Sequence, residues 1–178
     1  MSSPGDGAPR GAEDATGNTP LSHWGMMKRI LVATDGSLSA IDAVSFAVEF
    51  AHHHQAELIF VHVVPSVEFV PPVALDDAGA ALPHEPTAQD HALLREASAV
   101  AAENGVTATT VLLGGSTANE IVAHAASCGA DLIVIGSRGH GPVASALLGS
   151  VALGVLHSAK QPVLVVRCAM PAPAPVAT

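Results

Sequence analysis

Residues Asp131–Ser150 read DLIVIGSRGHGPVASALLGS. The first five are a short apolar run, the length of one buried strand. At Gly136 the run stops and the pattern G-x2-G-x9-G-S begins, set by Gly136, Gly139, Gly149 and Ser150. Glycine lacks a Cβ, so Gly136 and Gly139 are expected to allow tight turns with φ > 0 and close approach of backbone to a ligand. Their N–H groups are expected to turn inward as an anion nest. Gly149 and Ser150 are expected near the start of the last helix, where N–H groups and a hydroxyl suit a phosphate. No G-K-[S/T] is present, so this is not a Walker loop, and the G-x-G-x-x-G dinucleotide pattern is not formed either. Spacing alone also allows a plain surface loop with a C-cap glycine.

On either side of this segment, strand-like and helix-like stretches alternate. Arg29–Thr34 is a short apolar strand that ends at Asp35-Gly36-Ser37, a turn that supplies helix N-caps. Ala40–His53 carries Ile41, Val44, Ala47, Val48 and Ala51 at helical spacing. Glu57–Val64 is a second strand, Thr87–Asn104 a helix with a C-cap at Asn104-Gly105, and Val106–Leu113 a third strand. Ser116 or Thr117 caps a helix that runs to about Ser127, and Gly129 ends it. Asp131–Ile135 is strand four, Leu147–Ala159 the last helix and Pro162–Arg167 strand five. Continuous apolar strands separated by helices mean a parallel sheet covered on both faces. In such sheets ligands bind beyond the C-terminal strand ends, where strand order reverses. Asp35 and Gly136 share that crevice if strands one and four are neighbours.

The chain has 178 residues, which suits one domain, expected at 27–168, with tails. Residues 1–26 are rich in Gly, Pro, Ser and Asp without apolar periodicity, and 169–178 are Pro/Ala-rich; both are expected to be disordered. Residues 1–25 lack the apolar core of a secretory signal. Pro65–Pro86, with Pro71, Pro72 and Pro83 between, is expected to be a long excursion over one face. A formal charge of −9 argues against nucleic acid and anionic membranes as partners. The stretch from Gly139 to Ala159 holds no Asp, Glu, Lys or Arg, but its glycines, proline, histidines and serines fit a loop and a small-residue helix better than a membrane span. Cys128 and Cys168 form no CxxC pair and are expected to be thiols of a reducing compartment, the cytoplasm.

Three stretches resemble the universal stress protein family: ILVATDGS at Ile30–Ser37, VHVV at Val61–Val64, and DLIVIGSRGHGPVASALLGSVALGVLHSAKQPVLVV at Asp131–Val166. The last contains that family's glycine motif intact, which places the chain with the nucleotide-binding members. The resemblance implies an α/β, Rossmann-like domain of the adenine nucleotide alpha hydrolase type: a five-stranded parallel sheet, order 3-2-1-4-5, with helices on both faces. It implies ATP, or AMP or cyclic AMP, as the ligand, with Mg2+ or Mn2+ carried on the phosphates. Asp35 would contact the ribose hydroxyls or the metal-phosphate region. Val63 would lie against adenine, with Ala33 and Thr34 nearby and Ile135 lining the base pocket. Gly136, Gly139 and His140 would offer main-chain contacts to phosphate, and Gly149, Ser150 and Val151 would complete the cradle. Ala33 departs from the proline common at this position.

Arg138 is expected either to neutralise phosphate or to face water. The triplet His52-His53-His54 cannot chelate one ion from consecutive helical positions and reads as a solvated helix end. His62, inside an apolar strand, reads as a satisfied core histidine, and Cys128 as packing. Pro162–Arg167 is expected to be an edge strand, and an apolar edge needs cover; pairing with a second copy provides it, and the resemblance implies the same homodimer. The expected role is that of a nucleotide-responsive stress or survival regulator. A slow ATPase or self-phosphorylating enzyme, a cyclic AMP binder using the same pocket, and a dimer without nucleotide are the alternatives.

Overall fold

The computed structural model describes residues 27–65, 85–139 and 148–168. The tails expected at 1–26 and 169–178, His140, and all of the Pro-rich excursion but its ends lie outside the described residues. The elements are β1 (Arg29–Ala33), α1 (Leu38–His54), β2 (Glu57–Pro65), α2 (Ala88–Glu103), β3 (Ala108–Gly115), α3 (Thr117–Ser127), β4 (Leu132–Gly136), α4 (Ser150–Ser158) and β5 (Val163–Val166). All strands pair in parallel in the order β3-β2-β1-β4-β5. The expected α/β fold and strand order are therefore the observed ones.

Strand side chains alternate between faces, and here each parity has its own core. Ile30, Val32, Leu58, Phe60, Leu132 and Val134 pack beneath α1 and α2, against Ala43, Ala47, Ala51, Leu94, Ala97 and Ala101. Leu31, Ala33, Ile59, Val61, Ile133 and Ile135 pack beneath α3 and α4, against Ile121, Ala125, Ala152 and Val155. Full burial of each large aliphatic side chain contributes about 1.5–3 kcal/mol, and alanine on the facing helices lets them approach the sheet. A Cβ added at Gly154 would lie 2.9 Å from the Ala118 Cβ, so α4 meets α3 through bare backbone.

Element ends differ from the sequence expectation where the signal is not apolar. Helix α1 starts at Leu38, before Ala40, because Ser37 is the N-cap: its hydroxyl accepts from the Ala40 N–H at 3.4 Å. Leu38 is 73 % exposed, so the first turn carries no buried stripe to read. Helix α2 opens on a reciprocal capping box between Thr87 and Asp90. Gly105, at φ +69°, takes the left-handed position after α2. Helix α4 starts at Ser150, after the expected Leu147: Leu147 lies outside the described residues, and Gly149 is an extended N-cap. No helix among the described residues is long and apolar enough to cross a membrane. Cys128 is half-buried against the α3/α4 core, and no disulfide joins it to Cys168.

β1 lies between β2 and β4, so the chain winds outward from it in both directions. The crevice of this topology opens beyond the C-terminal ends of β1 and β4.

Candidate functional site

The first wall of the crevice is the turn after β1. Thr34 continues the strand by one bond, its N–H donating to the Val61 carbonyl at 2.9 Å. The Asp35 carboxylate accepts from the Ser37 N–H at 3.0 Å, and Gly36 turns the chain at φ +79°. That φ needs glycine. Asp35 therefore braces the turn, while Ser37 caps the helix.

The second wall is the segment after β4, held to the first by serines. The Ser37 hydroxyl donates to the Arg138 carbonyl at 3.1 Å. The Ser39 hydroxyl donates to the same carbonyl and accepts from the Arg138 N–H at 3.1 Å, gripping one residue at both backbone groups. The Ser137 N–H donates to the Val166 carbonyl, and the Gly149 N–H to the Ser137 carbonyl, each at 2.7 Å. The last bond closes the glycine segment, so α4 begins beside Ser137.

Between the walls lies a cavity of about 390 Å³, within the range of small-molecule sites. Ala33, Thr34, Asp35, Val63, Ile135, Gly136, Arg138, Gly139, Gly149, Ser150 and Val151 all line it. His140 lies outside the described residues. The glycines act differently from the expectation: neither Gly136 nor Gly139 has a positive φ. What they supply is room. A Cβ at Gly136 would come within 2.6 Å of Ser39 Oγ and 2.8 Å of the Ala40 nitrogen, and one at Gly139 would fall on the Asp35 carboxylate.

The lining has two chemically distinct parts. Val61, Val63, Ile121, Ile135 and Ala152 are its apolar part. There the edge of β2 is open. In a parallel strand, residues two apart direct their backbone groups to the same side. Val61 bonds towards β1, so Val63 points its N–H and C=O past Ala33, where β1 has ended. The other part is the start of α4. Gly149 makes no side-chain cap, so the first N–H groups of the helix, beginning at Ser150, have no partner within it. They carry the positive end of the helix dipole. Asp35 and Arg138 complete the lining there, and Arg138 is the one Lys or Arg among the described lining residues. Among the described residues no three His, Cys, Asp or Glu side chains cluster to hold a metal. Asp35 alone would have to share an ion with the ligand's own oxygens.

The sequence reading missed Ala40, Val61, Thr117, Ile121, Ser137, Leu148 and Ala152, which also line the cavity, and the role of Ser39. Ser39 did leave a signal. It stands four residues before Ala43 in the buried stripe Ala43, Ala47, Ala51, and a polar group there needs a partner. His62, read as a core histidine, is buried and bonded at both ring nitrogens, and it too borders the cavity. His52, His53 and His54 are exposed at the end of α1.

Fold and crevice define a doubly wound α/β domain with a ligand site at its topological switch point. The profile of the universal stress protein family matches residues 26–167. The chain is 36 % identical over 152 residues to the universal stress protein YxiE of Bacillus subtilis, covering 80 % of this chain and all of that one. It is 35 % identical over 142 residues to a universal stress protein of Methanocaldococcus jannaschii, covering 80 % of this chain and 83 % of that one. Among solved structures, it is similar to a universal stress protein in complex with cAMP, with a TM-score of 0.61 and 28 % identity over 81 % of this chain and 99 % of the other. The chain belongs to the universal stress protein family.

Proposed function

We propose that the chain binds an adenine nucleotide in this cavity and acts as a nucleotide-responsive regulator of stress or survival. One observation carries the reading: an apolar lining with an open strand edge shares the cavity with a helix N-terminus whose first N–H groups have no partner within the helix. A purine is flat, apolar on its faces and rich in donors and acceptors at its rim, which suits the Val63 edge. A phosphate suits the start of α4. Asp35, in the lining, is assigned the ribose hydroxyls or a phosphate-borne Mg2+ or Mn2+. The complex of a similar protein with cAMP supports the same assignment.

ATP is the first candidate, and a specific observation favours cyclic AMP as the second. With Arg138 the one Lys or Arg among the described lining residues, the lining offers mostly neutral donors, the first N–H groups of α4 among them. A singly charged phosphodiester needs less compensation than a triphosphate, which would bring its own metal. Nucleotide cleavage would need a general base, and Asp35 is the acidic group at hand. The chain is proposed to work in the cytoplasm as a homodimer through Pro162–Arg167. β5 is one edge of the sheet, and Leu153 and Leu156 on α4 are 59 % and 41 % exposed. Since Gly154 faces α3, helix geometry puts both leucines on the opposite flank, beside β5.

Calorimetric titration with ATP, AMP and cyclic AMP, with and without Mg2+, tests the reading. Saturable binding of at least one is the expected result, and heat-silent titrations with all three, checked by equilibrium dialysis, refute it. Phosphate release from ATP that Asp35→Ala abolishes would add the enzymatic reading.

A further inference from the structure

His62 sits on the α1/α2 face of β2, in line with Leu58 and Phe60, and its side chain is 9 % exposed. Its Nδ1 lies 2.8 Å from the Thr34 carbonyl oxygen and its Nε2 lies 2.9 Å from Asp90 Oδ1. A carbonyl oxygen only accepts. Asp90 is held as an acceptor too: the Thr87 hydroxyl and N–H donate to its Oδ2 at 2.6 and 2.7 Å. These bonds, with His62, hold its carboxyl well below the usual carboxylate range. Both ring nitrogens therefore face acceptors. From β3 the register partner of His62 is Leu112, which carries no charge, and Asp90 is the residue paired with the ring by an ion pair among the described residues.

We propose that His62 is a positioning residue: its ring, held at both nitrogens, straps the Thr34 carbonyl, in the cavity wall, to the Asp90 carboxylate at the start of α2. The strap acts on the site through one peptide. The Thr34–Asp35 peptide is planar and trans, so fixing its C=O fixes the Asp35 N–H in the opposite direction. Asp35 is thus held at the cavity through the peptide that precedes it. The link runs from the start of α2 to the residue proposed above to contact the ligand.

This inference rests on the nucleotide reading for its ligand, and the experiment keeps the two apart. AMP and cyclic AMP are titrated into the full chain, wild type, His62→Phe, His62→Gln and Asp90→Asn, at one pH. His62→Phe keeps the ring volume and is expected to weaken binding roughly tenfold, one hydrogen bond's worth. His62→Gln restores polar atoms and should recover part of that loss, and Asp90→Asn, which keeps an acceptor, should lose less than His62→Phe. Wild-type affinity in His62→Phe overturns the proposal. In the ligand-free protein, the Asp35 amide signal in backbone NMR should move in His62→Phe. An unmoved Asp35 signal overturns the strap even if nucleotide binds. If neither nucleotide binds, the functional reading fails alone and the Asp35 signal still decides the strap.

Discussion

Gly136 allows a test in which the structure supplies the magnitude. A methyl group there would lie 2.6 Å from Ser39 Oγ, 2.7 Å from the Ser39 carbonyl carbon and 2.8 Å from the Ala40 nitrogen. Two of the three are backbone atoms in the first turn of α1, so no rotamer change relieves the overlap. The end of β4 and the start of α1 must separate instead. Overpacking of this kind costs about 1–3 kcal/mol. The separation also breaks the Ser39 grip on Arg138, worth about 1 kcal/mol. Gly136→Ala is therefore expected to lose about 2–4 kcal/mol, a fall in Tm of roughly 5–15 °C for a domain of this size. Two other glycines calibrate the result. Gly114 has nothing within 4 Å of an added Cβ and no positive φ, so Gly114→Ala should be neutral or slightly stabilising. Gly105 also has open space but sits at φ +69°, so Gly105→Ala should cost about 1 kcal/mol from backbone strain alone. Urea denaturation, with m-values compared across the series, measures all three. If Gly136→Ala is as stable as Gly114→Ala, the close approach of β4 to α1 is wrong, and with it the reason given for glycine at 136.

The remaining predictions concern the two walls and the sheet edge. At Gly139 the added Cβ meets the end of the Asp35 side chain, which can swing away; Gly139→Ala should spare stability and reduce nucleotide affinity, and calorimetry showing full affinity would contradict this. Ser39→Ala removes a partner of the Arg138 N–H and one of the two hydroxyls on its carbonyl and should cost about 1–3 kcal/mol by urea denaturation, with weaker nucleotide binding. Leu153→Asp with Leu156→Asp places charge on the flank beside β5 and should turn the proposed dimer into a monomer by light scattering. A wild-type monomer at micromolar concentration would sink the dimer itself.

The fold was legible because each of its signals is local. Buried parallel strands appear as unbroken apolar runs, as LIVIG at Leu132–Gly136 does, and their alternation with helical periods implies the layers. Boundaries were less legible where a terminus is set by a hydrogen bond: with Ser37 as its cap, α1 starts at Leu38, two residues before the Ala40 that the apolar spacing suggests. The glycine motif was legible as a site, but its mechanism was not. Composition says that Gly136 and Gly139 lack a Cβ; it does not say whether φ or space demands this. Here space does, and the atoms that need it belong to Ser39 and Asp35, about a hundred residues earlier in the chain.

The same distance explains what was missed. Ser39 and Arg138 are 99 residues apart, and His62 lies 28 residues from both Thr34 and Asp90. No spacing rule reaches across such intervals, because the contacts exist only once β1 has paired with β2 and β4. Each residue was nevertheless conspicuous by parity. Ser39 falls in register with Ala43 and Ala47, and His62 with Leu58 and Phe60, so both are polar side chains on faces that must be buried. A buried polar group without a bond costs about 1–3 kcal/mol, which obliges a partner to exist. Each holds main-chain atoms of the crevice, the Arg138 N–H and carbonyl for Ser39 and the Thr34 carbonyl for His62, whose other ring nitrogen meets Asp90. Polar exceptions on the two apolar stripes thus mark the backbone that the sheet alone cannot hold. In this domain that backbone is the rim of the cavity, where the strands have ended and side chains must do the holding.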